Sequence, residues 1–265
     1  MSKSIFVTGG ASGLGLAMCR HFHAQGWTVG LGDVDQAGLD RALAELGPER
    51  ARGFSLDVRS RPAWDAALAG FAEFAGGRID VLVNNAGIST RVLFQDLPPG
   101  GFDQEIDINL RGVLHGCQAI LPYMGRGQGG TIINVASAAG LYGTARLAVY
   151  SATKGAVRSL SEALDLDLGL IGIRVACLMP GMTDTPILDK LDDPKWGNMR
   201  KIVEARGVKI GRPEDLARRV GEMLETDELH YGFAVHDEAQ VAHLNQVRAK
   251  RRGVLKPQSF AKTRP

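Results

Sequence analysis

The chain has 265 residues, 45% of them hydrophobic and 23% charged, with a formal net charge of +2. That length buries a sizeable core without disulfide or metal support, and Lys and Arg spread along most of it exclude a nucleic-acid footprint ahead of the C-terminal stretch. No apolar run reaches membrane-spanning length, and a strand-like run starting at Ser4 leaves no room for a signal peptide, so a cytoplasmic protein that does not enter a membrane is expected. From the N-terminus, short apolar runs alternate with longer helical patterns. Strand Ser4–Thr8 precedes helix Leu14–Gln25, strand Trp27–Asp33 precedes helix Ala37–Leu46, strand Gly53–Asp57 precedes helix Pro62–Ala75, and strand Ile79–Asn84 precedes helix Phe102–Met124. The rhythm continues through strand Thr131–Ala136, helix Val149–Leu170, strand Ile173–Leu178, helix Pro213–Leu224 and strand Gly232–His236. Such alternation predicts an α/β fold, a doubly wound parallel sheet of about seven strands with helices on both faces.

No internal repeat is visible, and residues 1–237 read as one domain followed by a C-terminal helix and basic tail at 238–265. Between Arg248 and Arg264 stand seven Lys or Arg residues and no acid, which reads as a solvated arm. Residues 183–208 break the alternation after the end of a strand, where open α/β sheets bind ligands, and are expected to cover the substrate. Leu188, Trp196 and Met199 from this segment, which also carries apolar Leu191, form with Leu141 and Tyr142 the expected apolar mouth. Cys19, Cys117 and Cys177 are widely spaced, as in buried thiols of a reducing compartment, and no His pair stands at i, i+4, so no metal site is expected.

Thr8 ends the first strand, and Gly9, Ser12, Gly13, Leu14 and Gly15 form the turn that enters a helix. A backbone without Cβ atoms at this point approaches a pyrophosphate closely, with the amides and positive dipole end of the helix facing the anion. The second strand ends in Asp33, whose carboxylate can accept both ribose hydroxyls of an adenosine and repels a 2′-phosphate, so NAD is expected rather than NADP. Asp57, with Val58 beside it, closes the third strand within reach of the adenine amino group. Asn85, Ala86 and Gly87 close the fourth, under the adenosine ribose.

Tyr150 and Lys154 lie four residues apart on a predicted helix, so their side chains rise from one face. A neighbouring ammonium favours the phenolate and lowers a phenol's pKa from its ordinary value of about 10, which equips Tyr150 to take a proton from an alcohol.

These residues resemble the short-chain dehydrogenase/reductase family over roughly positions 4 to 236. The matching elements are Thr8-Gly-x-x-x-Gly-x-Gly15, Asn84-Asn-Ala-Gly87, Asn109 within Asp107-Ile-Asn-Leu, Ser137, Tyr150-x-x-x-Lys154 and Pro180-Gly-Met-Thr-Asp-Thr-Pro186. The resemblance implies a Rossmann fold and a catalytic set of Asn109, Ser137, Tyr150 and Lys154. In it, Asn109 kinks its helix and holds a water, and Lys154 also holds the nicotinamide ribose. It further implies that Pro180, Gly181, Met182, Thr183 and Thr185 meet the nicotinamide end of NAD. The implied partners are an alcohol or ketone, interconverted by hydride transfer, and a second copy of the chain. A homodimer through the helices beginning near Phe102 and Val149 is expected, or a homotetramer. The extended C-terminus departs from the Val-Asp-Gly-Gly ending of many members and is faintly similar to NAD-dependent prostaglandin and steroid alcohol dehydrogenases. A non-catalytic NAD-sensing protein on the same fold is the alternative, opposed by the complete tetrad. An enoyl reductase would space its Tyr and Lys farther apart.

Overall fold

The computed structural model describes residues 2–124, 129–189, 197–205, 207–233 and 238–254. Seven parallel strands form one sheet: β1 (Ser4–Thr8), β2 (Thr28–Asp33), β3 (Ala51–Ser55), β4 (Val81–Asn84), β5 (Gly130–Val135), β6 (Ile173–Pro180) and β7 (His230–Phe233). Their spatial order is β3-β2-β1-β4-β5-β6-β7. The order reverses direction between β1 and β4, and the resulting crevice lies at the carboxyl ends of those strands. The helices between strands are α1 (Gly13–Ala24), α2 (Gln36–Leu46), α3 (Arg61–Phe74), α4 (Asp103–Ile106), α5 (Gly112–Ala119) and α6 (Ala148–Gly169). Beyond β6 come α7 (Pro186–Asp189), α8 (Met199–Ala205), α9 (Pro213–Met223) and α10 (Glu238–Val254).

Alternation along β1 explains the two layers. Ile5 and Val7 point to one face and pack with Met18 and Phe22 of α1, Leu39 of α2 and Leu216 and Val220 of α9. Phe6 points to the other and joins Trp64 and Phe71 of α3, with ring centroids 6.3 and 5.4 Å away. Trp64 and Phe71 are fully buried, so truncating either to Ala costs about 3–5 kcal/mol. Local signals set the helix starts. Asp35 caps α2 by accepting the Gly38 N–H, and Ser60 caps α3 by accepting that of Ala63 with Pro62 in the first turn.

Three of the departures from the sequence expectation bear on the site or its frame. Strand β3 runs Ala51–Ser55, two residues earlier than Gly53–Asp57, because it pairs in register with Val29–Asp33, and Asp57 therefore lies in the following loop. Strand β7 is His230–Phe233 rather than Gly232–His236, set by pairing with Cys177–Pro180; residues 234–237 are outside the described ones. The long helix expected from Phe102 to Met124 is interrupted by a π-helical stretch, Asp107–Arg111, and closes in a 3-10 turn at Leu121–Tyr123.

Candidate active site

The turn from β1 into α1 is built by proximity of backbone to backbone. A Cβ on Gly15 would stand 2.0 Å from the Gly9 carbonyl oxygen, and Gly9 has φ +67°. Ser12 ends the loop at α1, its side chain makes no capping bond, and the first turn of α1 carries no acid. The exposed amides and dipole of α1, which opens with Gly13, Leu14 and Gly15, therefore face the crevice uncompensated. Asp33 is locked beside this turn: Oδ2 accepts the Ala11 N–H and Oδ1 the Asp35 N–H, each at 3.0 Å.

The neighbouring expectations fare unevenly. Asp57 is gripped by the Arg59 guanidinium, which holds its carboxyl below the usual range. The Val58 side chain is in the core, and its carbonyl accepts the Trp64 indole N–H at 3.0 Å. The asparagine amides following β4 serve as braces instead of facing the crevice. Asn85 donates through Nδ2 to the Thr8 carbonyl at 2.8 Å, while the Asn85 and Ala86 N–H groups donate to Thr8 Oγ1 at 3.0 Å. Asn84 turns into the core and donates to Asn134 Oδ1, whose own amide donates to Ser161. Thr8, at first sight only a strand end, is thus the post that joins the two crevice walls.

Ser137, Tyr150 and Lys154 converge on the other side of Gly87. Ser137 follows β5, where its Oγ accepts the Ala139 N–H at 3.2 Å and reaches the Pro180 carbonyl at 3.4 Å. Lys154 is 3% exposed and donates to the Val135 carbonyl at 2.8 Å, with Nζ 5.7 Å from the Tyr150 ring centroid. Burial lowers its ammonium to about 8, with Cys177 and Glu105 acting in the opposite direction. Burial raises the Tyr150 phenol, a hydrogen bond with Ser137 counters this, and the charge of Glu105 adds to the rise. The expected depression of the phenol by Lys154 is therefore not seen in the chain alone: burial raises the phenol, and the ammonium is turned toward Val135.

Asn109 sits within the π-helical stretch, fully buried. Its side chain is committed to the protein: Oδ1 accepts the Ile88 N–H at 2.9 Å, and Nδ2 donates to the Ile88 carbonyl at 2.8 Å and to Thr153 Oγ1 at 3.3 Å. These bonds tie the side-chain amide to the loop after β4, which it anchors.

The segment after β6 folds back over the glycine turn. Pro180 ends the strand, Gly181 N–H donates to the Phe233 carbonyl, and Thr183 and Thr185 are buried with their hydroxyls directed to the Gly181 and Thr183 carbonyls. A Cβ on Gly13 would lie 3.2 Å from Pro186 and 3.3 Å from Thr185, so this strip touches the cradle. Leu147, Leu188, Met199 and Val203 form an apolar cluster against which Tyr150 and Met182 pack. The expected mouth is thus split. Leu188 and Met199 belong to the cluster against which Tyr150 packs, whereas Leu141, partly buried against the sheet core, and Tyr142, half exposed, line an open cleft of about 620 Å³ with Ser151 and Ala152. Leu191 and Trp196 lie outside the described residues.

Cys19, Cys117 and Cys177 are buried free thiols, and burial pushes the last two up to about 12. Among the described residues no three His, Cys, Asp or Glu side chains group as metal ligands, and no helix is long and apolar enough to cross a membrane.

The sequence profile of the short chain dehydrogenase family matches residues 3–196. Cyclopentanol dehydrogenase from Comamonas sp. is 37% identical over 243 residues, 91% of this chain and 92% of the relative. The 3-alpha-(or 20-beta)-hydroxysteroid dehydrogenase of Mycobacterium tuberculosis is 39% identical over 190 residues, 71% of this chain and 72% of the relative. Among solved structures, the 3-ketoacyl-(acyl-carrier-protein) reductase from Brucella melitensis complexed with NADH superposes with a TM-score of 0.76 at 31% identity, covering 83% of this chain and 90% of the other.

Proposed function

Because the chain belongs to the short-chain dehydrogenase family, and is thus an oxidoreductase of alcohol and ketone groups that binds a nicotinamide cofactor, we propose that it is an NAD-dependent dehydrogenase of bulky apolar secondary alcohols. The observation that carries this reading is the convergence of Ser137, Tyr150 and Lys154 under the apolar cluster of Leu147, Leu188, Met199 and Val203. Two relatives bear the names of cyclic alcohols, cyclopentanol and a hydroxysteroid, which favours a cyclic or steroid-like substrate.

The residues present fit the cofactor. A cradle that a Cβ on Gly15 would fill, the open start of α1 and the fixed Asp33 carboxylate suit a pyrophosphate and an adenosine ribose with free hydroxyls. Asp33 supports NAD, because its charge opposes a 2′-phosphate. Gly9, Ser12, Gly13, Leu14 and Gly15 would hold the phosphates, Asp33, Asp57 and the main chain of Val58, Asn85, Ala86 and Gly87 the adenosine side, and Lys154, Pro180, Gly181, Met182, Thr183 and Thr185 the nicotinamide side. When bound, NAD supplies the hydride acceptor.

Ser137 donates a hydrogen bond to the substrate oxygen and orients it toward Tyr150. Tyr150 takes the hydroxyl proton as the carbinol carbon gives up its hydride. Lys154 places positive charge beside the phenol, and Asn109 holds the loop wall through Ile88. Since burial keeps the phenol protonated, alcohol oxidation is expected to rise with pH across the neutral and mildly alkaline range. A homodimer built on the run of helices from Phe102 through α5 and on α6, with Phe102 ahead of α4 and Leu114 of α5 exposed, or a homotetramer, completes the proposal, in the reducing cytoplasm to which the free thiols are suited.

The test is NADH formation over a panel of aliphatic, cyclic, aromatic and steroidal secondary alcohols, with NADP in parallel. Turnover with NAD on one bulky class is expected, and Tyr150→Phe is expected to abolish it, a loss of at least about a thousandfold, with NAD binding retained. Turnover in the Tyr150→Phe protein refutes the assignment.

A further inference from the structure

Glu105 is a buried carboxyl on the wall of this site to which the reaction above gives no task. It lies on α4, is 3% exposed, and its Oε1 accepts the Thr90 N–H at 2.9 Å. About one turn further along the same run, Asn109 holds Ile88 by both main-chain groups. The two side chains therefore tie the loop leaving β4 at positions 88 and 90. That loop begins at Gly87, where a Cβ would stand 3.2 Å from Asn109 Oδ1 and 3.4 Å from Lys154 Nζ. Since α4 packs on α6, the carboxyl faces the helix that presents Tyr150 and Lys154. Burying a carboxylate is costly. A glutamine would accept the same Thr90 bond at no such cost, so the brace alone gives no reason for an ionisable group here.

We propose that Glu105 is a positioning residue whose negative charge sets the pH window of the Tyr150 and Lys154 pair, while its bond to Thr90 holds the substrate-side loop. This rests on Tyr150 being the base. A negative charge favours the protonated form of every nearby group, so Glu105 raises both the phenol and the ammonium. Burial raises the carboxyl itself, while the Thr90 N–H and Lys154 draw it down. The ionisable groups around it are Tyr150 and Lys154 from α6, with the Cys177 thiol of β6 acting on Lys154.

Glu105→Gln keeps the volume and the acceptor and removes the charge. The pH profile of kcat/KM for alcohol oxidation is expected to move bodily to lower pH, raising the ratio of the rate at about pH 6 to that at about pH 9 on the order of three- to tenfold. KM for the alcohol stays near wild type. Glu105→Asp retains the charge and is expected to keep the wild-type profile, while Glu105→Ala shifts the profile and also raises KM as the loop is released. A Glu105→Gln profile that overlays wild type overturns the proposal, as does an equal shift in Glu105→Asp. Failure of the underlying reading shows separately, as turnover in Tyr150→Phe.

Discussion

The glycine turn between β1 and α1 and the strip that follows β6 touch at Gly13, Thr185 and Pro186, yet they are built on opposite principles. The turn is made of backbone: its shape depends on missing Cβ atoms, and its hydrogen bonds run from main chain to Asp33, Thr8 and Asn85. The strip is made of side chains, with Leu188, Met199 and Val203 packed over Tyr150 and Arg200 paired at the surface with Asp184 and Asp189. Backbone packing has no slack, whereas an apolar cluster can be resurfaced one side chain at a time. On the proposed reading this separates a rigid cofactor grip from an adjustable substrate cover.

The sharpest way to break the contrast is Gly15→Ala. Its new Cβ falls 2.0 Å from a carbonyl oxygen that cannot rotate away, so a loss of about 3 kcal/mol or more in stability or cofactor binding is expected; thermal melting with and without NAD measures it. Asp33→Ala comes next. Losing hydrogen bonds to a charged acceptor is expected to cost NAD about 1.5–3 kcal/mol, roughly ten- to a hundredfold in kcat/KM, while NADP use improves. Leu188→Ala tests the cover. It is 2% exposed, so about 2 kcal/mol of stability is expected to go, together with kcat/KM for bulky alcohols while NAD affinity holds. Arg200→Gln is the smallest. Exposed ion pairs contribute little, so an unchanged melting temperature is expected, and a clear drop would show that the surface pairs govern the cover.

The Tyr150-x-x-x-Lys154 pair and the order of strands and helices were legible because each rests on local periodicity: i and i+4 share a helix face whatever surrounds them. The site's second tier was not. Glu105 carried no signal in the sequence, since its partner Thr90 is fifteen residues away and only the folded loop brings them together. The π-helical stretch around Asn109 was legible as a kink only through resemblance, and the committed bonds of its side chain not at all. Leu141 looked like Leu188 in composition, yet the two pack in different apolar clusters.

By itself, then, the sequence determined the parallel α/β architecture, the glycine turn, the acid at the end of β2 and the family, because spacing, chirality and propensity act within a turn or a strand. Only the tertiary structure decided which asparagines brace and which residues reach the crevice, that burial holds the Tyr150 phenol high and Lys154 at about 8, and that a buried carboxyl stands behind both. Desolvation and long-range contact depend on what the rest of the chain places around a group, and no window of neighbouring residues contains that information.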